Sequence, residues 1–486
     1  MASTNISFNE IPTGIRKPGK YFEFNTTNAV RTLAANSQRM LIIAQKSEDS
    51  EAALEPVQIY DDATAGQLFG FGSQAHIMAK AAIRANLYLD LSVLPVPPNT
   101  AGIAATGKLE LTGTATGSGV VSLTIADTSI AVAASSQDQA SNVLAELATA
   151  VNAEQDLPVT AQVVTPEDPD GDGEQVADPP YLSLTAKNKG TLGNMVSLAV
   201  SCTAPGLTAT LTRMSGGQSD PDITDALAVV FGSDYTLYCI PWTAQAQLTV
   251  LREHLDNISG PLEQRRATAW LASTDTLSNC TTLAGQINSG RISLACLPGT
   301  TSLPEAVSAA YCAVAASEDD PARPLNTLEL TGITIPPDSA KLSRTEQEVA
   351  LKNGVTPLEV GPGDVVQIVR AISTYTKNAA GVADISLLDM TTIRTMDYVA
   401  KTIRERIELR FPREKLSTRT PPKVRSEILD VLRQLEELEI VEEVQANAEG
   451  VICERDLQDP NRLNCRVPAD VVNGLHVFAG VIDLLL

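Results

Sequence analysis

The sequence predicts a multidomain chain of mixed α/β and α+β class. A parallel-sheet α/β core domain carries a β-rich inserted domain, an α+β C-terminal domain follows, and extended arms stand at both ends. Three observations carry this reading. Apolar strands alternate with amphipathic helices from "YTLYCIPW" to "PEAVSAAYCAVAA", as βαβ units around a parallel sheet do. Composition shifts at about residues 100–215 to Thr, Ala, Ser, Gly and Val, with Tyr181 as the one aromatic. The chain closes on "VNGLHVFAGVIDLLL", apolar on both faces at strand period, as in a strand covered on two sides.

The elements follow in order. Residues 1–24 form a polar N-terminal arm, in which "IRKPGKYFEFN" gives a Pro-Gly turn and a short strand with Tyr21, Phe22 and Phe24, the two Phe sharing a face. Residues 25–99 are the first part of the core domain. "RMLIIAQ" reads as a buried strand, Ser73 caps a helix from about Gln74 to Asn86, and "LYLDLSVLPV" returns as a strand ended by Pro97-Pro98,. Residues 100–215 are the β-rich inserted outer domain with one helix, "ASNVLAELATAVNA". Residues 216–370 resume the core, and residues 371–474 form the C-terminal α+β domain. Its first helix places Ile393, Met396, Ala400, Ile403, Ile407 and Phe411 on one face, which predicts a free Arg side opposite. Residues 475–486 are the terminal strand or arm.

The chain has 486 residues, enough for about three domains,. It carries 36 Lys and Arg against 58 Asp and Glu, a formal charge of -22, which argues against nucleic acid as principal partner. Residues 394–425 run against that trend, with ten basic residues and four acids, whereas residues 426–456 hold ten acids and two Arg. Such a pattern marks either solvated helix faces with local pairs or two surfaces of opposite sign for different partners. Seven Cys without a CxxC, four of them in apolar segments, predict reduced buried thiols and no disulfide framework. Neither a signal peptide nor a membrane span is expected.

The usual chemistry is sought and not found, and no cofactor is expected. The loops after the core strands, "TAQ", "STDTLS" and "GTTSLPE", contain no phosphate-cradling glycine pattern,. Ser273, Thr274, Asp275 and Thr276 read as helix caps. His76, His254 and His476 lie in unrelated contexts with no GxSxG elbow,. "DPDGDG" at Asp168–Gly173 begins like a calcium loop, but Pro179 stands where the closing Glu belongs,. No catalytic or metal residues are assigned.

Four segments then converge. "IPTGIRKPGKYFEFNTTNAV", "DPARPLNTLELTGI", "LKNGVTPLEVGPGDVVQIVRAISTY" and "TIRTMDYVAKTIRERIELRFPREKL" resemble the contractile-tail sheath proteins of Mu-like bacteriophages. The resemblance implies a non-enzymatic virion subunit, made in the host cytoplasm, that forms hexameric rings stacked around a tail tube and contracts to drive the tube through the host envelope. It also implies baseplate and tail terminator partners, no membrane insertion, and arms that add strands to neighbouring subunits. On this reading Tyr21, Phe22, Phe24, Phe478, Ile482, Leu484 and Leu486 belong to inter-subunit arms. Arg404, Arg406, Arg410, Arg413 and Lys415, from the strongly basic region, face the tube. The competing readings are an α/β hydrolase or ligand-binding protein with a β-rich attachment, and a host-surface binding module centred on the insertion.

Overall fold

Alternation along a single strand explains the central architecture. In Arg39–Gln45, Met40, Ile42 and Ala44 enter one apolar cluster while Leu41 and Ile43 enter another on the opposite side. A sheet buried on both faces needs apolar residues at every position, and "RMLIIAQ" supplies them. The computed structural model describes residues 16–22, 33, 36–165 and 179–485. Phe24, Leu486 and the calcium-loop lookalike at residues 168–173 lie outside them.

The chain divides into two units, residues 36–398 with 471–486, and residues 1–35 with 399–470. The larger is built on an eight-stranded sheet. Its order is Val365–Ile368, Thr356–Gly361, Ile292–Cys296, Thr268–Ser273, Leu237–Cys239, Arg39–Gln45, Asp90–Val96, Val57–Gln58. The six inner strands run parallel and the two edge strands antiparallel. Helices Gln74–Ala85 and Pro304–Ala316 cover one face, and Gln245–Ile258 with Leu277–Ile287 cover the other. The α/β class and the capping by Ser73, whose Oγ accepts from the His76 N–H at 3.2 Å, are as the sequence predicts.

Helix Pro304–Ala316 differs from expectation. It is buried on every side rather than amphipathic. Its small residues let it lie against strand Thr268–Ser273 and helix Gln74–Ala85 at once. Ser308 fixes it to the sheet by donating to the Ala272 carbonyl at 3.1 Å and accepting from the Ala272 N–H at 2.9 Å.

Between the strands Asp90–Val96 and Leu237–Cys239, residues 104–215 build two antiparallel sheets and helix Ala140–Ala153 around their own apolar cluster. One sheet has the order Leu207–Ser215, Ala104–Gly113, Tyr181–Lys189, Val159–Val164, and the other Thr128–Ala134, Gly119–Ile125, Leu198–Cys202. Strand Tyr181–Lys189 alternates half-buried and buried residues along its whole length, the period-two pattern of a sheet with one face on a core.

In the smaller unit, helix Thr420–Glu437 buries Val424, Ile428, Val431, Leu432 and Leu435. A hairpin of Ile452–Arg455 with Leu463–Arg466 follows. Helix Met390–Arg410 runs from the larger unit into the smaller. Its buried side matches the apolar one the sequence suggests only in part: Ile393 is buried and Ala400, Ile403, Ile407 and Phe411 are half-buried. Arg394, Tyr398, Thr402 and Arg406 are buried, four residues apart, while Met396 is exposed. The apolar period misled because the two Arg are taken up by internal partners, described below.

Candidate functional site

The C-terminal segment is the first surface of interest. Residues 472–485 belong to no helix or strand, although the sequence reads as one, because a strand exists only where another strand pairs with it. Phe478 is 87% and Ile482 97% exposed, and Val477, Val481, Leu484 and Leu485 are exposed as well. Apolar side chains in such a row on a folded chain mark an interaction site or an aggregation hazard.

Where the segment leaves the fold it is held. A Cβ on Gly474 would stand 2.5 Å from Pro324 Cγ, so only glycine allows this approach. His476 Nδ1 accepts from Asn326 Nδ2 at 3.0 Å, and its Nε2 faces Asp389 Oδ1 at 3.6 Å. Asp389 is itself clasped by the Nε and Nη2 of Arg370, both at 2.8 Å. Burial and the nearby Arg370 charge push the His476 pKa down. At the other end of the chain, Tyr21 and Phe22 are exposed, and the Tyr21 hydroxyl donates to the Lys17 carbonyl at 3.0 Å.

The basic region is only partly a surface. Arg406 is buried, its Nη1 3.0 Å from Asp430 Oδ2 and 3.5 Å from Glu427 Oε2, and its Nη2 3.2 Å from Gln434 Oε1. Arg410 Nε lies 3.6 Å from Glu427 Oε2. These two residues are therefore withdrawn from the free Arg side that the apolar period suggested. The basic run and the acidic run answer each other inside one unit, helix to helix. Arg413 and Lys415 are exposed, and Arg404 is half-buried with its Nε 3.9 Å from Glu408.

The insertion is joined to the core by a polar weld that sequence reasoning missed. His76 Nδ1 accepts from the Gly72 N–H at 3.1 Å, so the neutral ring carries its proton on Nε2 and donates to Asp62 Oδ1 at 2.8 Å. Lys80 reaches the same carboxylate at 3.7 Å and hydrogen-bonds Asp156 from the insertion. Burial works against the charged Asp156, but Lys80 outweighs it and holds that pKa below the ordinary range. Asn188 donates to the Gly72 carbonyl and accepts from the Gln74 N–H. Lys187 donates to the Phe71 carbonyl at 3.1 Å, and burial lowers its pKa. Asp62, His76 and Asp156 approach one another as metal ligands do. The donor set does not suit a cation, because Nε2 has no free lone pair and an ammonium already stands between the carboxylates. No short sequence spacing links these residues, so only the tertiary structure shows them.

No acyl-transfer arrangement emerges. None of the three His rings hydrogen-bonds a Ser or Cys side chain among the described residues. Thr276 caps helix Leu277–Ile287, and Asp275 accepts from the Thr276 N–H and from Asn279 Nδ2, as the capping reading expects. Cys239, Cys280, Cys296 and Cys312 are buried and free. Cys453 and Cys465 form a disulfide, which corrects the expectation of reduced thiols throughout. The sequence held the signal: both Cys stand at equal distances from Asp459, the centre of the turn "DLQDPNR", and strand pairing sets them opposite each other.

Comparison with known proteins adds a family. Residues 216–374 match the phage tail sheath protein central domain, and residues 382–484 match the phage tail sheath C-terminal domain. The Mu-like prophage FluMu tail sheath protein of Haemophilus influenzae is 34% identical over 99% of this chain and 100% of its own length. Among solved structures, the sheath tail protein of Listeria innocua superposes with a TM-score of 0.51 at 16% identity, covering 92% of this chain and 94% of that one. That of Desulfitobacterium hafniense gives 0.50 at 13% identity, over 94% and 97%. These two show a shared fold, and the full-length relative with the two matched domains shows the family: the chain belongs to the phage tail sheath proteins.

Proposed function

We propose that this sheath subunit polymerises as stacked hexameric rings around a tail tube, and that contraction of the lattice drives the tube through the host envelope. The observation that carries the reading is the C-terminal segment, apolar on both faces, exposed from Val477 to Leu485 and anchored at Gly474 and His476. Its apolar surface calls for cover, and a second copy of the chain supplies it. Strand addition gives main-chain hydrogen bonds, while Phe478, Ile482, Leu484 and Leu486 fill pockets on either side. Tyr21, Phe22 and Phe24 of the N-terminal arm act in the same way. Links of extended chain let neighbouring subunits hinge without parting.

The surface toward the tube is formed by Arg413 and Lys415 with Arg404, now without Arg406 and Arg410. The insertion decorates the outside, and baseplate and tail terminator proteins close the two ends of the polymer. The subunit is assembled in the host cytoplasm, uses no cofactor and performs no catalysis. Electron microscopy of the purified chain, alone and with tube protein, tests this. Hollow tubes or rings are expected, and a discrete monomer at every concentration, with or without tube, contradicts it.

A further inference from the structure

We propose that Cys453 and Cys465 are a redox-dependent staple, a dithiol while the subunit is inside the host and a disulfide after the particle leaves it. The inference rests on the proposed assembly in the host cytoplasm, a compartment that keeps thiols reduced.

The two residues face each other across the hairpin, in register with Ile452 opposite Arg466 and Glu454 opposite Asn464. The Asp456 N–H donates to the Arg462 carbonyl, and, an odd number of positions along the alternating ladder, Cys453 and Cys465 fall at a pair without main-chain hydrogen bonds, where side chains stand closest,. Their Cα atoms are 4.2 Å apart. Both states are therefore compatible with one backbone register.

The staple has something to stabilise. Among the described residues this sheet has two strands only, and a two-stranded hairpin is marginal in water by itself. Its base is fixed, since Arg425 donates to the carbonyls of Val451 and Ala448, both at 2.7 Å. The turn is ordered by Asp456, which accepts from the N–H groups of Gln458 and Asp459 and from Asn464 Nδ2. The middle has the two Cys. Cys465 is exposed and Cys453 half-buried, within reach of solutes, whereas Cys239, Cys280, Cys296 and Cys312 are buried.

The oxidant is a low-molecular-weight disulfide, and the step is thiol–disulfide exchange. One Cys thiolate attacks it, forming a mixed disulfide and releasing one small thiol. The second Cys attacks the protein-bound sulfur and releases the other. The two protons lost by the Cys end on the two small thiols. Two protein thiols are oxidised, and one small disulfide is reduced.

The test quenches intact producing cells with acid, alkylates the denatured chain, and compares it by peptide mass spectrometry with particles released into medium containing oxidised glutathione. Cys453 and Cys465 should be alkylated in the first sample and joined in the second. Hydrogen exchange on the full oxidised chain, before and after reduction, should show the amides of Leu463–Arg466 speeding up by about tenfold or more. The C453S/C465S double variant should match the reduced chain. A bond already closed inside cells, two thiols still open after release, or exchange unchanged by reduction overturns the proposal. Tube formation is read separately by microscopy, so loss of the sheath reading is distinguishable from loss of the staple.

Discussion

Arg406 of one helix and Asp430 of another meet at 3.0 Å, with only 4% of the Arg side chain exposed. The pair joins the basic run to the acidic run, so a charge pattern that looks like two external faces is in part an internal clamp. The Arg is buried but the Asp430 side chain is 38% exposed, so removing Arg406 loses its contacts and leaves a carboxylate that water can reach. Arg406→Ala is expected to cost about 1 to 3 kcal/mol of stability in urea unfolding. Arg413→Ala, on the exposed side, should cost under about 0.5 kcal/mol. Equal effects would place Arg406 at the surface.

Glu305 gives a pH signature. It is fully buried near the start of helix Pro304–Ala316, its Oε2 has no hydrogen-bond partner among the described residues, and burial raises its pKa to about 7. Between the ordinary Glu value and about 7 the unfolded chain gives up this proton while the folded chain keeps it. Stability from the neutral carboxyl is thus complete below the ordinary value and lost as pH rises through about 7,. Glu305→Gln should stabilise the protein at neutral to mildly alkaline pH by on the order of 2 kcal/mol. It should also flatten the fall of stability with pH. Thermal unfolding across about pH 5 to 8, with a wild-type slope retained in the variant, would argue against it.

The insertion is welded to the core rather than tethered. Ile77 and Leu303 of the core enter its apolar cluster, and Asn188, Lys187 and Asp156 satisfy core groups. A variant joining Val96 to Ser219 through a Gly/Ser bridge exposes both apolar residues. The expected loss is on the order of 3 to 5 kcal/mol from their burial alone. The shortened chain should still form tubes once stabilised, for example by Ile77→Ser with Leu303→Ser to restore solubility. Differential scanning calorimetry together with microscopy checks this. A shortened chain as stable as the full one would mean the weld contributes nothing.

Local periodicity made much of the fold legible. Strands such as "RMLIIAQ" and "ATAWLAS" and the cap at Ser73 are decided by neighbours in sequence, so they can be read from it. The stripe of Arg394 and Arg406 could not, because an Arg counts as polar until the partner is known. Arg394 donates to the Glu318 carbonyl, and Arg406 bonds residues 21 to 28 positions away. The weld at His76 depends on Asp62 and Asp156, and no local pattern joins the three. Conversely, the terminal segment was legible as an unsatisfied surface since two apolar faces say so directly. Its pairing was not legible, because no short sequence pattern says which strand a segment pairs with.

In the proposed assembly the C-terminal segment links one subunit to the next. The most direct measurement is sedimentation of full-length and truncated chains under polymerising conditions, with circular dichroism to establish that both are folded. Deleting residues 478–486 removes the row from Phe478 onward and leaves the anchor at Gly474 and His476 intact. The truncated chain is expected to be a folded, soluble subunit that stays in the supernatant while the full chain pellets as tubes. Truncated chains that pellet as tubes of normal length would contradict that link.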